Sequence, residues 1–237
     1  MRRAGRLRVP VAVALAAALL TGCAQSVDPI ERLGKKAAQR VHSHGPSHEQ
    51  PYRHWGLTAP LAPAPKPAPR PAARSAGPGL PPVVDHVRTR DKVVFLTYDD
   101  AGARRDPRFA DMVRELRLPV TMFRTAPEHG HFTGLPYAAQ RTEICGHRPR
   151  PRSRLLRPPY GTYDTTTLRA AADCGVSALV LWRASTTTGP LTYAHGDHHL
   201  APGDIVRVGP TPADSTARLL RGIQGRGLTV GRLEDYL

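Results

Sequence analysis

A run of apolar residues that ends in two adjacent carboxylates constrains the fold of this chain more than any other stretch. Residues 92–100 read Lys-Val-Val-Phe-Leu-Thr-Tyr-Asp-Asp, so apolar and β-prone residues lead directly to Asp99 and Asp100. A continuous run rich in Val and Phe is typical of a strand buried on both faces in a parallel sheet. In parallel α/β folds, the carboxyl ends of such strands carry the chemistry. A capped strand-to-helix turn is the alternative for the two aspartates.

Short β-prone runs alternate with helix-like stretches from residue 93 to residue 237. Asp106 and Pro107 predict the start of one helix, and Asp164 predicts the cap of another that ends at Gly175. Pro136 opens a third helix. Further strands are predicted over 118–123, 177–182, 204–208 and 228–230. This order of elements predicts an α/β architecture with a parallel sheet.

The first 23 residues have the pattern of an export signal. Four arginines within residues 2–8 precede an apolar run over 9–20, and residues 20–23 read Leu-Thr-Gly-Cys. A basic region, a short apolar region and small residues predict a secretory signal peptide over 1–22, and the run is too short for a membrane span. Residues 20–23 resemble the bacterial lipobox, which implies lipidation of Cys23. We expect an exported protein anchored by lipid on the outer face of the cytoplasmic membrane, with an unlipidated secreted protein as the alternative.

Residues 23–88 show no sustained helical or strand period. Their centre, 59–71, alternates Pro with Ala and a few basic residues, which predicts an extended spacer. We therefore predict a disordered, Pro-rich linker over 23–88 and a folded domain over 89–237. The formal net charge of +15 is not accompanied by a nucleic-acid-reading motif. For an exported chain this charge indicates anionic envelope polymers and lipids rather than nucleic acid.

Two cysteines remain after lipidation of Cys23. Cys145 and Cys174 each end a predicted helix and are each followed by Gly. A disulfide between them is consistent with an oxidising compartment, and two buried thiols are equally consistent, because the spacing does not fix the distance between their Cα atoms.

Several segments, in the right order, resemble the motifs of the polysaccharide deacetylases, carbohydrate esterase family 4 (CE4), also called the NodB-homology domain. Residues 97–100 resemble the first motif, and Arg-Pro-Pro-Tyr-Gly at 157–161 matches the third in full. Residues 179–182 resemble the strand of the fourth motif, and 203–206 resemble the approach to the fifth. The resemblance implies a (β/α) barrel of the glycoside hydrolase/deacetylase type. A β/α unit takes on the order of 30 residues, so we expect this barrel to be incomplete or distorted.

The resemblance also implies roles for individual residues. Asp99 corresponds to the base that activates a metal-bound water, and Arg157 to the residue that orients this base. Asp100 corresponds to a ligand of a divalent metal, which is commonly zinc in the family. His129 falls where a second ligand belongs. Tyr160 and Trp182 are predicted to bind the sugar. The partner is then an N-acetylated glycan such as peptidoglycan or a chitin-like polymer, bound by a monomer.

The chain also departs from the family at positions that matter for catalysis. Thr125 stands where the first histidine of the His-x-x-x-His pair belongs, and His131 lies two residues beyond the second. Ala101 intervenes after the aspartates, and Arg183 follows Trp182 where an aspartate is expected soon after the Trp. Residues 205–209 read Ile-Val-Arg-Val-Gly, without the histidine that would protonate the leaving amine. Other histidines lie in the preceding loop: His195, His198 and His199.

Two functions follow from these matches and departures. The first is metal-dependent hydrolysis of N-acetyl groups on cell-wall or extracellular glycans. The second is a catalytically impaired relative that binds glycan or spaces partners in the envelope. The lost histidines favour the second for activity, because loss of a metal ligand or of a general acid removes most of the rate. A basic polyanion-binding protein, which rests on charge alone, ranks last.

Overall fold

The computed structural model describes residues 50–67, 75–124, 130–146, 154–187, 189–194 and 198–237. The predicted signal peptide and the lipidation residue Cys23 lie outside these ranges. Among the described residues, every helix is too short or too polar to cross a membrane.

Two sheets built of short strands form the framework. In chain order the strands are β1 (Val83–Val84), β2 (Val93–Asp99), β3 (Thr121–Phe123), β4 (Leu155–Leu156), β5 (Ala178–Val180), β6 (Ala184–Ser185), β7 (Thr192–Tyr193), β8 (Ile205–Val208) and β9 (Thr229–Gly231). The larger sheet has the order β3-β2-β8-β6-β7, with β9 also paired to β2, and the smaller sheet has the order β1-β5-β4. The described pairs are parallel apart from β6 with β7. The predicted α/β class is confirmed, and the described strands form two sheets rather than one closed ring.

Helices cover the outer faces of both sheets. They are α1 (Pro51–His54), α2 (Asp100–Arg104), α3 (Pro107–Glu115), α4 (Tyr137–Gly146), α5 (Thr165–Asp173) and α6 (Pro212–Gly225). Two short 3₁₀ helices span Pro159–Gly161 and Leu233–Asp235. The predicted caps are confirmed: Asp106 and Asp164 accept the backbone N–H groups of Phe109 and Thr167. The second carboxylate oxygen of Asp106 accepts the N–H of Ala213 at 3.0 Å and so ties α3 to α6.

Strand β2 is buried on both faces, as its apolar run predicts. Val94, Leu96 and Tyr98 point outward into a cluster with helices α3 and α6. Val93 and Phe95 point inward, into a cluster to which both sheets contribute. Alternation along the strand places Thr97 and Asp99 on this same inner side, at the carboxyl end. The two sheets therefore enclose an apolar interior beneath the acidic end of β2.

The segment 50–67, here called the N-terminal strap, corrects the predicted linker. Trp55 and Leu57 are buried in the outer cluster beside β2. The Trp55 indole donates to Glu115 Oε2 at 2.8 Å, and the Tyr236 hydroxyl donates to the Pro65 carbonyl at 2.7 Å. Residues 75–88 are also folded, because Val83–Val84 form a strand of the smaller sheet. The prediction of disorder is wrong for the described parts of 23–88. Trp55 and Leu57 precede the Pro-rich stretch and bury apolar surface, which the Pro content alone does not reveal.

Cys145 and Cys174 form a disulfide, with their Cα atoms 5.2 Å apart. It joins the end of α4 to the residue that follows α5, and these two helices pack side by side. The loop that the disulfide closes contains β4 and residues 157–161. Of the two alternatives that the sequence leaves open for these cysteines, the structure has the disulfide.

Candidate active site

Asp99 lies at the edge of the apolar interior because β2 ends there, between β3 and β8. Asp99 lies in register with Phe123 of β3, and Thr97 lies in register with Arg207 of β8. Paired residues on adjacent parallel strands project to the same face of a sheet. The register therefore brings a carboxylate, a hydroxyl and a guanidinium to one place.

Arg157 approaches this place from the smaller sheet. It follows β4 directly, and its side chain is only 4% exposed. Its Nη2 donates to Thr97 Oγ1 at 2.6 Å, and its Nη1 donates to Asp99 Oδ1 at 3.4 Å. The guanidinium lies over the Phe123 ring, 4.2 Å from the centroid. The structure therefore has the contact between Arg157 and Asp99 that the sequence predicts.

Burial lowers the pKa of the Arg157 guanidinium to about 10, while the attraction of Asp99 opposes this shift and the repulsion of Arg207 adds to it. Arg157 therefore remains a cation at neutral pH. Its Nε is buried and has no acceptor among the described residues. A buried cation of this kind is tolerable only with a carboxylate beside it.

Arg207 is the second cation on Asp99, and the sequence did not reveal its contact. Its Nε and Nη2 both donate to Asp99 Oδ2, at 3.0 and 2.8 Å. Asp99 thus accepts from Arg207 on one oxygen and from Arg157 on the other. The available signal was a charged residue inside an apolar strand, Ile-Val-Arg-Val, which points inward when it is in register with Thr97. In the comparison with the family motifs, residue 207 is marked only by the absence of a histidine.

Trp182 lies against both guanidinium groups. Its ring centroid is 4.6 Å from Cζ of Arg207 and 5.4 Å from Cζ of Arg157. Both distances lie within the range of cation–π attraction. The ring also abuts Gly161, where a Cβ would stand 3.0 Å from the indole. A side chain larger than hydrogen at residue 161 would therefore push the loop off Trp182.

Tyr160 stands out from the same loop. Its backbone has a φ of 56°, and its side chain is exposed, whereas Gly161 next to it has a φ of 74°. The Tyr160 ring contacts the His131 ring at a centroid distance of 4.5 Å, and His131 Nδ1 lies 3.2 Å from Thr162 Oγ1. Positive φ at a non-glycine residue is uncommon and concentrates at functional sites. Tyr160 is therefore an exposed residue of the loop, while Trp182 is partly buried against it, and their assignment to sugar binding stays a prediction.

The predicted metal ligands are not assembled within the described residues. Asp100 begins α2 and forms an ion pair with Arg104 at 3.0 Å. Thr125 and His129 lie outside the described ranges, as does His195. Among the residues that the structure describes, no three His, Cys, Asp or Glu side chains are grouped as a metal site. Of the two predicted ligands only Asp100 lies within the described residues, and a single carboxylate does not complete the ligand set of a divalent metal.

No family model matches the chain. The uncharacterized protein SCO4760 of Streptomyces coelicolor is 52% identical over 198 residues, a match that covers 68% of this chain and 79% of that protein.

Two crystal structures share the fold. One is wild-type BA3943 of Bacillus anthracis, described as a CE4 family pseudoenzyme; its TM-score is 0.52 at 16% identity, over 66% of this chain and 69% of that chain. The other is a mutant of BA3943, described as having restored enzymatic activity; its TM-score is 0.50 at 16% identity, over 66% of this chain and 71% of that chain. At this identity the likeness shows the fold alone. The fold implied by the CE4 motifs is therefore confirmed.

Proposed function

Because the chain belongs to the same family as SCO4760 of Streptomyces coelicolor and has the CE4 fold, we propose that it is a catalytically impaired relative of the polysaccharide deacetylases. In this proposal it binds an N-acetylated glycan of the cell envelope and does not hydrolyse it. The signal pattern and Cys23 add that it is exported and held by lipid on the outer face of the cytoplasmic membrane. BA3943, which shares the fold, is itself described as a pseudoenzyme.

The double guanidinium clamp on Asp99 carries the proposal. A general base must present a lone pair to the water that it deprotonates, and a neighbouring divalent cation must be tolerated. Here Asp99 Oδ2 accepts two N–H groups of Arg207, and Oδ1 accepts from Arg157. The Arg207 cation repels any second cation beside the same carboxylate. Asp99 then acts as the counterion of two arginines.

Residue 207 also cannot supply the proton that a leaving amine needs. Arg207 lies in the segment that resembles the fifth motif, where the family's histidine would give a proton to the departing nitrogen. A guanidinium is too weak an acid to give up its proton to a leaving group at neutral pH. Arg207 can therefore bind and orient a ligand but cannot act as a general acid.

The aromatic side chains of Tyr160 and Trp182 support glycan binding. The Tyr160 ring is exposed on residues 157–161, and the partly buried Trp182 ring contacts Gly161 of the same segment. Aromatic faces pack against the apolar faces of sugar rings, and nearby donors fix the orientation. Binding without chemistry needs these surfaces and does not need the lost histidines.

Calorimetric titration of the full-length chain with chitooligosaccharides and peptidoglycan fragments tests the proposal, together with acetate release in the presence of Zn²⁺, Co²⁺ or Mn²⁺. We expect saturable binding without acetate release. Tyr160→Ala should weaken binding about tenfold or more, consistent with the loss of one aromatic contact, while the exposed Tyr137→Ala on α4 serves as the matched control. Failure to bind any of these glycans would contradict the proposal.

The second candidate is the metal-dependent deacetylase itself. The contact of Arg157 with Asp99 favours it, because it is the arrangement that the third motif implies for an oriented base. In this case zinc binds, acetate is released, and Asp100→Ala abolishes both. The same titration therefore decides between the two functions.

A further inference from the structure

Exposed cations gather at the amino end of β2, opposite to Asp99. This set is here called the basic end and consists of Arg53, Lys92, Arg117, Arg221 and Arg226. Lys92 directly precedes β2, and the chain returns beside it after α6, where the backbone N–H of Thr229 donates to the Lys92 carbonyl at 2.8 Å. Because strands rise about 3.3 Å per residue, the length of β2 separates the basic end from Asp99 by about 20 Å.

The N-terminal strap joins these cations into one surface. Helix α1 carries Arg53, and the neighbouring His54 Nδ1 lies 3.3 Å from Glu115 Oε2 at the end of α3. Farther along the strap, a Cβ added to Gly56 would stand 3.2 Å from Arg221 Nη1. The strap therefore crosses from the end of α3 to the end of α6.

The charge of the basic end is not compensated. Among the described residues, the ion pairs involve other cations. Glu115 contacts the strap but is engaged by His54 and by the Trp55 indole, and Asp91 adjoins Lys92, so cations remain in excess. An exposed face with surplus charge attracts a surface of the opposite charge, and clusters of Lys and Arg near a membrane attachment bind anionic headgroups.

The chain connects this end of the domain to the predicted lipid anchor. The strap begins at residue 50, and residues 24–49 lie between it and Cys23. At roughly 3.5 Å per residue, this stretch can reach at most about 95 Å. A tether of limited reach raises the effective concentration of the membrane around the strap, so a weak attraction is enough to hold the domain there. A wall polymer has no such connection to the basic end.

We propose that the basic end docks on the anionic headgroups of the membrane that carries the lipid anchor. This docking rests on the proposed lipidation of Cys23 and adds an orientation of the domain. The strap faces the bilayer, and the carboxyl end of β2 with Asp99 points away from it. The site proposed to bind glycan is thereby presented to polymers outside the membrane.

Vesicle sedimentation tests the docking on the chain without the predicted signal peptide and with Cys23→Ser, which keeps every described residue and carries no lipid. We expect binding to phosphatidylcholine vesicles with about 30% phosphatidylglycerol to exceed binding to phosphatidylcholine alone by about tenfold or more at about 0.1 M salt. At about 0.5 M salt the preference should be lost, because the Debye length shortens.

Variants distinguish the basic end from overall charge. The triple change of Arg117, Arg221 and Arg226 to Gln should weaken binding to the anionic vesicles about a hundredfold, at about fivefold for each cation. The control removes the same charge from exposed positions on other elements: Arg105→Gln, Arg141→Gln and Arg169→Gln. It should weaken binding by less than about threefold, because these positions lie farther from the bilayer than a Debye length. Thermal unfolding shows whether each variant is folded. If the triple variant is not, the single exposed change Arg226→Glu should weaken binding about tenfold or more.

Two results would overturn the docking surface: equal binding to neutral and anionic vesicles, or an equal loss in the two triple variants. Release of the bound chain by soluble poly(glycerol phosphate) at the same phosphate concentration would show that a soluble polyanion suffices, and it would overturn the bilayer as the partner. Palmitate labelling of the wild-type chain in cells tests Cys23 separately, and the glycan titration tests the proposed function separately. Failure of the docking therefore leaves both of these standing.

Discussion

The two ends of strand β2 use the same inner face for different purposes. At the amino end, Val93 and Phe95 pack against Gly231 and Tyr236 in an apolar cluster. At the carboxyl end, Thr97 and Asp99 contact two guanidinium groups. The amino end contributes to folding through apolar burial, whereas the carboxyl end contributes charges whose balance decides the chemistry. The CE4-like fold therefore depends on the apolar end, whereas the chemistry that the site can perform depends on the charged end.

The largest effect is expected at the apolar end. Phe95 is fully buried and meets the Tyr236 ring edge-on, with the centroids 4.9 Å apart. Phe95→Ala should lower the free energy of unfolding by about 3–5 kcal/mol, through lost burial and the cavity left behind. Urea denaturation measures this change. Met122→Ala, on the exposed side of β3, is the control and should change stability by less than about 0.5 kcal/mol.

The strap extends this apolar surface on the outer side of β2. Trp55 packs in the same cluster as Val94 and Leu96 and donates its indole N–H to Glu115. Trp55→Ala should cost about 3 kcal/mol of unfolding free energy, whereas Trp55→Phe should cost about 1 kcal/mol, mostly the lost hydrogen bond. If Trp55→Ala left the urea midpoint unchanged, the strap would contribute nothing to the folded domain.

Replacing the carboxylate at the charged end should change stability in the opposite direction to replacing one in a catalytic site. Replacing a catalytic carboxylate is often neutral or stabilising, because active sites give up stability for function. Asp99→Asn should instead destabilise the protein by about 1–3 kcal/mol, because it leaves two guanidinium groups beside each other without their counterion. Denaturation at low and at high salt measures this. An unchanged or raised stability would indicate that Asp99 is not a structural counterion.

The two ends of β2 also differ in how well the sequence alone predicts them. The period of apolar residues predicted β2, and local chemistry predicted the caps Asp106 and Asp164, because both signals lie within a few neighbouring residues. The clamp on Asp99 depends on register between β2 and β8, more than 100 residues apart, and local pattern carries no such information. The folding of the strap is hidden from local pattern for a related reason: its Pro content is local, whereas the surface that buries Trp55 is distant in sequence.

Tyr98, near the carboxyl end of β2 on its outer face, gives the smallest effect, one that depends on pH. Its hydroxyl is buried and pairs with Thr216 Oγ1 at 2.8 Å. Burial raises the pKa of Tyr98 above its ordinary value, while the hydrogen bond to Thr216 opposes the shift. The folded state therefore retains a proton that the unfolded state releases above about pH 10. The resulting stabilisation is complete below that pH and is lost as the pH rises further.

Tyr98→Phe should lower the unfolding free energy by about 1 kcal/mol at pH 8, through the lost hydrogen bond, and should have no ionisation to lose. The gap between the two proteins should then close by about 1.4 kcal/mol for each pH unit above 10, so the stability curves should meet near pH 11. Arg157, whose pKa is lowered to about 10, makes stability rise over the same range, but it is present in both proteins and cancels from the difference. Urea denaturation at pH 8, 10 and 11 measures the gap. A constant gap would mean that the Tyr98 hydroxyl reaches water in the folded protein, so that the outer face of β2 is not sealed from solvent at this residue.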